Sequence, residues 1–366
     1  MKLNRYKIVE GDTLESIAKN YDIGIAEMLH YHNLNSDLTK QIYGDFIPFH
    51  ITEILVDPAL KNVQELKFDE LTKNNPRKIE YNYPPNSCYK IEIFTSLYYL
   101  GKPVTENQID STWKINYDSE QNSVVVEVTD KNRIKVDGQI VPLLDILDKI
   151  NKATDSLNLQ LNTDKTIKNV INIKEVLDRW EKIKFDDLKF YELEDEYFKL
   201  IIEAYNLEFN TLSKSLQNNI LYQIFFYPQG NIVVPTAELK LIAGNQIVIS
   251  QLFPQQFISY DLYSKSQEKD GMVEVICSSK VTNDWNTENL EAEFKKNYAT
   301  LIEDPFDFKF SLESKYNYDE QGVLKSAKSY IKEQANEKLF YISEYKITHL
   351  ENNISNAVDL NREKYF

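Results

Sequence analysis

The apolar positions of this chain change period from one stretch to the next, and each change marks an element. Tyr6–Val9 alternates as a short strand. An "EGD" turn follows, in which Gly11 supplies backbone freedom. Leu14, Ile17, Ala18 and Tyr21 then fall at i, i+3, i+4 and i+7, one face of a helix. Asp12 stands at the N-cap position with Glu15 three residues on, the pattern of a capping box. "DIG" interrupts the period, and Ile25, Met28, Leu29 and His32 resume it. Asn33 stands where a C-cap is expected, because Asn tolerates left-handed backbone. "FIPFHITEILV" supplies a closing strand. Residues 1–57 are therefore expected to form a strand, helix, helix, strand unit around one small core.

Residues 58–87 read as a connector. "PALKNVQELKFDELTKNN" predicts a short surface helix, and "PRKIEYNYPPNS" follows with no sustained period. From 88 the pattern turns to strands in "CYKIEIFTSLYYL" and "TWKINY". "SVVVEVTD" and "RIKVDGQIV" alternate about a polar "KN", which predicts a hairpin. "PLLDILDKINKA" is a short helix, "SLNLQLN" with "TIKNVIN" a second hairpin, and Asn172 a cap for the helix carrying Val176, Leu177 and Trp180. Residues 191–226 are mostly helical. Strand patterns return over 231–350, with Gly230-Asn231 and Gly244-Asn245 as turns and one helix in "NTENLEAEFKKNYATLI". The expected fold class is α+β: a βααβ module, then a domain over 88–366 with a mostly antiparallel sheet. Its strand groups at 88–170 and 231–350 flank a helical block at 172–226, as one curved sheet or as two lobes.

Within the first module, Tyr6, the run Gly11-Asp12-Thr13-Leu14, Ile17-Ala18, Tyr21, Leu29 and Asn33 stand at family spacing, and the stretch resembles the LysM domain. The segment before its second strand, "YGDFIPFHITEILVD", matches the family more loosely, through Gly44, Phe46, Ile47 and Pro48. The resemblance implies binding of N-acetylglucosamine glycans such as peptidoglycan or chitin. It implies a groove with Gly11, Asp12, Thr13 and Leu14 on one wall and Ile42, Tyr43, Gly44, Asp45 and Phe46 on the other. Backbone amides and short polar side chains would hold the acetamido groups, and apolar side chains would cover the sugar faces. Gly11, Asp12 and Thr13 also build the turn and the cap, so the fold requires them with or without a ligand.

Composition narrows the function classes. The 366 residues carry a net charge of −15, which disfavours a nucleic-acid surface or attachment to anionic lipid. No apolar run reaches transmembrane length, and "MKLNRYKIVE" lacks an apolar leader core, so the expected location is the cytoplasm at synthesis, with delivery outside by a dedicated apparatus. His30 and His32 are two apart and point to different faces of a helix, so no metal site is expected there. Glu192, Glu194, Asp195 and Glu196 read as a solvated helix start. Cys88 and Cys277 are too few for a disulfide framework. A thiol paired with His349 has no local support in the sequence. No phosphate-cradling, dinucleotide, zincin or nucleophile-elbow motif appears, so no catalytic set and no cofactor are expected.

The reading that follows is a binding protein. Its N-terminal module docks on peptidoglycan or another N-acetylglucosamine glycan, or on a protein partner. The chain would then serve as a component, adaptor or cargo of a contractile, phage-tail-like or type VI, injection apparatus. The alternative is a delivered, peptidoglycan-targeting effector enzyme or toxin.

Overall fold

The structure is a computed structural model. It describes residues 4–9, 12–21, 23–36, 40, 42, 47, 51–56, 77–78, 81–135, 141–189, 196–227, 233–253, 256–269, 271–282, 287–298, 301–302 and 304–350. The chain divides into two compact units, Met1–Asn74 and Asn75–Phe366.

In the first unit, β1 (Asn4–Lys7) pairs antiparallel with β2 (Glu53–Val56), from Asn4↔Val56 to Lys7↔Glu53. Helices α1 (Leu14–Tyr21) and α2 (Ile25–Asn35) lie between them in sequence. The face predicted for α1 is the buried one: Leu14, Ile17 and Ala18 join Met28, Ile42, Ile51, Ile54 and Val56 in one core. This is the expected βααβ order. Both caps differ from expectation. Thr13, not Asp12, precedes α1: the Ser16 amide donates to Thr13 Oγ1 (3.1 Å) and the Thr13 amide to Ser16 Oγ (2.9 Å). The box is thus Thr–Ser, shifted by one residue from Asp–Glu. Helix α2 runs on through Asn33, with Ser36 as its C-cap.

The second unit is built on an eleven-stranded antiparallel sheet in the order β10-β11-β12-β13-β14-β15-β4-β5-β6-β7-β8. Its strands are β4 (Ser87–Tyr99), β5 (Lys102–Asp118), β6 (Ser123–Lys135), β7 (Ser156–Leu161), β8 (Ile167–Val170), β10 (Thr236–Ile249), β11 (Phe257–Lys269), β12 (Met272–Val281), β13 (Lys309–Tyr318), β14 (Leu324–Asn336) and β15 (Leu339–Leu350). The two strand groups seen in the sequence therefore share one sheet, joined where β15 pairs with β4 from Leu339↔Tyr99 to Leu350↔Cys88. A separate short ladder joins β3 (Arg77–Lys78) to β9 (Val233–Val234). Residues 81–87, within the stretch read as a connector, enter the core of this unit through Tyr81 and Tyr83.

Two predicted breaks are bulged, continuous strands. β6 passes through Lys131-Asn132 without turning, and irregularities at Thr112/Trp113 and Gln108/Ile109 keep it in register with β5. The charges that look like a turn are anchored instead: Lys131 reaches Asp148 (2.9 Å) and Arg133 reaches Asp145 (2.7 Å) and Asp148, all on α3 (Val141–Asn151). β10 likewise passes through Gly244-Asn245. Asn245 takes a positive φ of 51° there, and its amide donates to Asp261 Oδ1 at 3.0 Å. A bulge absorbs the residues that a hairpin would have used.

One face of the sheet carries the main core. Tyr89, Ile91, Trp113, Val126, Leu159, Val275, Tyr316 and Ile347 pack there with residues from α4 (Ile173–Ile183), α5 (Glu196–Asn210), α6 (Leu212–Gln217) and α7 (Ile220–Phe225). Val176, Trp180 and Ile183 repeat at helical spacing on the buried side of α4, as their period predicts. The Trp180 indole N–H donates to Asn206 Oδ1 at 2.8 Å, so the burial leaves no orphan donor. Asn172 is not used as a side-chain cap; its Oδ1 accepts from the Asn158 amide across β7. A second cluster, Leu252, Phe253, Leu290, Phe294, Ile302, Ala335 and Leu339, lies under α8 (Thr287–Asn297).

The sheet does not close on itself, since β8 and β10 end the strand order. Helices α6 and α7 and the residues between them hydrogen-bond to part of each edge. Ser213 Oγ accepts from the Val170 amide (3.0 Å), and Gln217 Nε2 donates to Ile167 O (3.2 Å) and Lys168 O (2.8 Å) on the β8 side. On the β10 side, Gln223 Nε2 donates to Ile247 O at 2.6 Å and the Ile249 amide to Asn218 O at 3.4 Å. Open strand edges are aggregation templates unless covered, and these side-chain and main-chain bonds cover Ile167–Val170 of β8 and Ile247–Ile249 of β10.

Candidate functional site

The groove implied by the LysM resemblance is built from the loop between β1 and α1 and the segment between α2 and β2. Four of its nine candidate residues are described: Asp12, Thr13, Leu14 and Ile42. Gly11, Tyr43, Gly44, Asp45 and Phe46 lie outside the described residues.

Asp12 organises the first loop. Its Oδ2 accepts from the Tyr6 hydroxyl at 2.9 Å and from the Val9 amide at 2.8 Å, while its own amide donates to Val9 O at 3.1 Å. The bond to Asp12 is also the main reason the Tyr6 phenol is held above its ordinary pKa. Tyr6 in turn packs edge-on against Tyr21 at 5.9 Å, so the strand, the loop and the end of α1 are tied together. Thr13 is exposed. A helix leaves its first N–H groups without intrahelical partners. The Thr13–Ser16 box satisfies those of Thr13 and Ser16, and the amides of Leu14 and Glu15 are the remaining donors at this helix start. Leu14 is only 2% exposed, so its side chain serves the core and its contribution to a ligand is its amide.

Two side chains of α2 hold Lys40, Ile42 and Leu55. Asn33 forms a reciprocal pair with the main chain of Ile42: Nδ2 donates to Ile42 O and the Ile42 amide donates to Oδ1, both at 2.8 Å. Ile42 itself is 1% exposed and belongs to the core. His32 is buried, with Nε2 donating to Lys40 O (2.7 Å) and Nδ1 accepting from the Leu55 amide (2.9 Å). One ring nitrogen must donate and the other accept, so the imidazole is neutral. Burial is the leading cause of its lowered pKa. His32 and Asn33 thus brace the described residues between α2 and β2, the segment in which the resemblance puts the far wall. Sequence reasoning placed His32 in the core and missed this bracing role; the signal available was two polar residues on a core-facing helix turn.

In the second unit the cysteines take no part in a thiol–imidazole pair. Cys277 is fully buried on β12, and burial pushes its thiol up to about 12, far from a thiolate. Cys88 pairs with Leu350 and His349 with Tyr89, so Cys88 and His349 point to opposite faces of the sheet. Among the described residues, no group of three or more His, Cys, Asp or Glu could hold a metal ion. Of the acidic run at 192–196, Glu192, Glu194 and Asp195 lie outside the described residues, and Glu196 opens α5. No helix of the described residues is long and apolar enough to cross a membrane.

Residues 6–42 match the LysM domain family, so the first unit is a LysM module. No curated protein matches the chain. Among solved structures, one of lipovitellin, described by its lipid–protein interactions, aligns at 9% identity with a TM-score of 0.40, over 74% of this chain and 26% of that one. An outer membrane channel from Pseudomonas putida F1 aligns at 5% identity with a TM-score of 0.15, over 75% of this chain and 99% of that one. Likenesses this weak transfer neither fold nor function.

Proposed function

We propose that the chain is a binding protein whose LysM module docks on an N-acetylglucosamine glycan of the peptidoglycan type. The family match over residues 6–42 carries this reading. The loop geometry supports it: Asp12 fixes the turn from beneath, which leaves exposed Thr13 and the first amides of α1 as donors for an acetamido carbonyl. Incubating the purified full chain with insoluble peptidoglycan and with chitin tests the proposal. The expected result is co-sedimentation that falls at least about tenfold in affinity for Asp12→Ala, which frees the loop. Thr13→Ser keeps both the cap and the hydroxyl donor, and should retain the fold and the binding. Failure of the native chain to sediment with either polymer overturns the glycan reading.

The protein-docking reading is the second proposal: a component, adaptor or cargo of a contractile injection apparatus. It predicts sheath, tube and spike genes beside this one, and a pull-down in which such a protein, not the glycan, is retained. The enzyme alternative predicts soluble fragments released from peptidoglycan by the full chain.

A further inference from the structure

The gap between the two sheet edges holds a cavity of about 240 Å³. The β7–β8 turn, helices α6 and α7 and the middle of β10 line it, and it opens to solvent. Its apolar lining is Tyr222, Phe226, Ile167, Leu216 and Ala243; Phe226 is buried and stacks behind Tyr222, ring centroids 6.3 Å apart and planes at 15°. Its polar surface is a set of carboxamides with one carboxylate: Asn162, Gln217, Gln223, Gln246 and Asp164.

The protein's own hydrogen bonds fix which way these amides face. Gln217 Nε2 is committed to Ile167 O and Lys168 O, and Gln223 Nε2 to Gln217 O and Ile247 O. Gln246 Nε2 donates to Gly244 O, and Asn162 Nδ2 to Thr166 Oγ1. Gln223 Oε1 accepts from the Tyr260 hydroxyl, and Asp164 Oδ1 accepts from both the amide and the hydroxyl of Thr166. Four acceptors remain, Gln217 Oε1, Gln246 Oε1, Asn162 Oδ1 and Asp164 Oδ2, beside one spare N–H each on Gln246 Nε2 and Asn162 Nδ2. A ligand that satisfies them must bring several donors. A single carboxylate among neutral amides gives little charge selection. The volume corresponds to about eight waters and falls below the roughly 300 Å³ at which pockets for drug-sized ligands begin.

We propose that this cavity binds one uncharged, hydroxyl-rich ring: a monosaccharide unit, with its hydroxyls on the polar side chains and its apolar face toward the Tyr222 ring. The site lies in the second unit and does not rest on the glycan reading of the LysM module. Titrating the full chain with glucose, galactose and mannose, which lack the acetamido group that the LysM reading requires, tests it by calorimetry. Trp113 lies 5.1 Å from the Tyr222 ring and offers a fluorescence readout. The expected result is saturable millimolar binding to at least one sugar. Gln246→Leu and Asp164→Asn should each weaken it about tenfold, and Asp12→Ala, which impairs the LysM loop, should leave it unchanged. Circular dichroism identifies a variant that fails to fold, in which case the other variant decides. No saturable binding to any of the three sugars overturns the proposal. So does binding that survives both substitutions, or tight binding of methylammonium in place of a sugar.

Discussion

Glu333 is the least expected residue of the second unit. It lies on β14, 2% exposed, and accepts from the Ser250 hydroxyl, the Gln251 amide at 2.7 Å and the Leu252 amide at 3.4 Å. Those bonds favour the charged form, yet burial outweighs them and pushes its pKa up to about 7 from 4.5. A folded-state pKa above the unfolded one means the folded chain binds more protons between the two values. The Glu333 contribution is therefore fully present below pH 4.5 and is lost as pH rises through about 7. That loss is roughly 3 kcal/mol by the size of the shift. Glu333→Gln stays neutral and should remove this part of the pH dependence. Urea unfolding across that range checks it: the variant should lose the Glu333 share of the decline that the native chain shows with rising pH. The sequence "YIKEQAN" gives no hint of this, because the partners of Glu333 come from a loop about eighty residues earlier in the chain.

At the scale of elements, local signals were legible and long-range ones were not. The period of α1 and α4 identified the buried faces, since a helix face is written within eight residues. The cap of α1 was misplaced by one residue because Tyr6, across the loop, recruits Asp12. "KN" and "GN" resemble turns, but β5 and β11 hold the strands straight through them. The loop that Asp12 and Thr13 form ahead of α1 was legible from its motif. The sugar-sized cavity was not, because it exists only where the two ends of the strand order meet at α6 and α7. Ser213 belongs to that closure. Ser213→Ala removes the acceptor of the Val170 amide and should cost about 1 kcal/mol. Hydrogen exchange should accelerate at Val170 and stay unchanged at Ile249, whose partner is Asn218 O.

At the scale of the whole molecule, the two units should answer acid in opposite ways. The pKa of His32 is lowered in the folded state, so the unfolded module binds the proton more readily below pH 6.5. Protonation would also place a hydrogen on Nδ1, where the Leu55 amide now donates. The module should therefore lose stability as pH falls below 6.5, while the Glu333 contribution grows in the second unit over the same change. Calorimetry on the full chain should resolve two transitions that approach or separate with pH, with the smaller moving down in acid and the larger moving up. Two transitions shifting together would contradict this assignment.

The pairing of β4 with β15 has a consequence for how the protein is made. A ribosome releases the chain from its N-terminus, so the hairpins from β4 to β8 can form while the rest is still being synthesised. One edge of β4 must then wait for β15, the last described strand, with Ile91 and Ile93 on it. The strand that completes the middle of the sheet arrives last, and until it does each half carries a long, unpaired and partly apolar border.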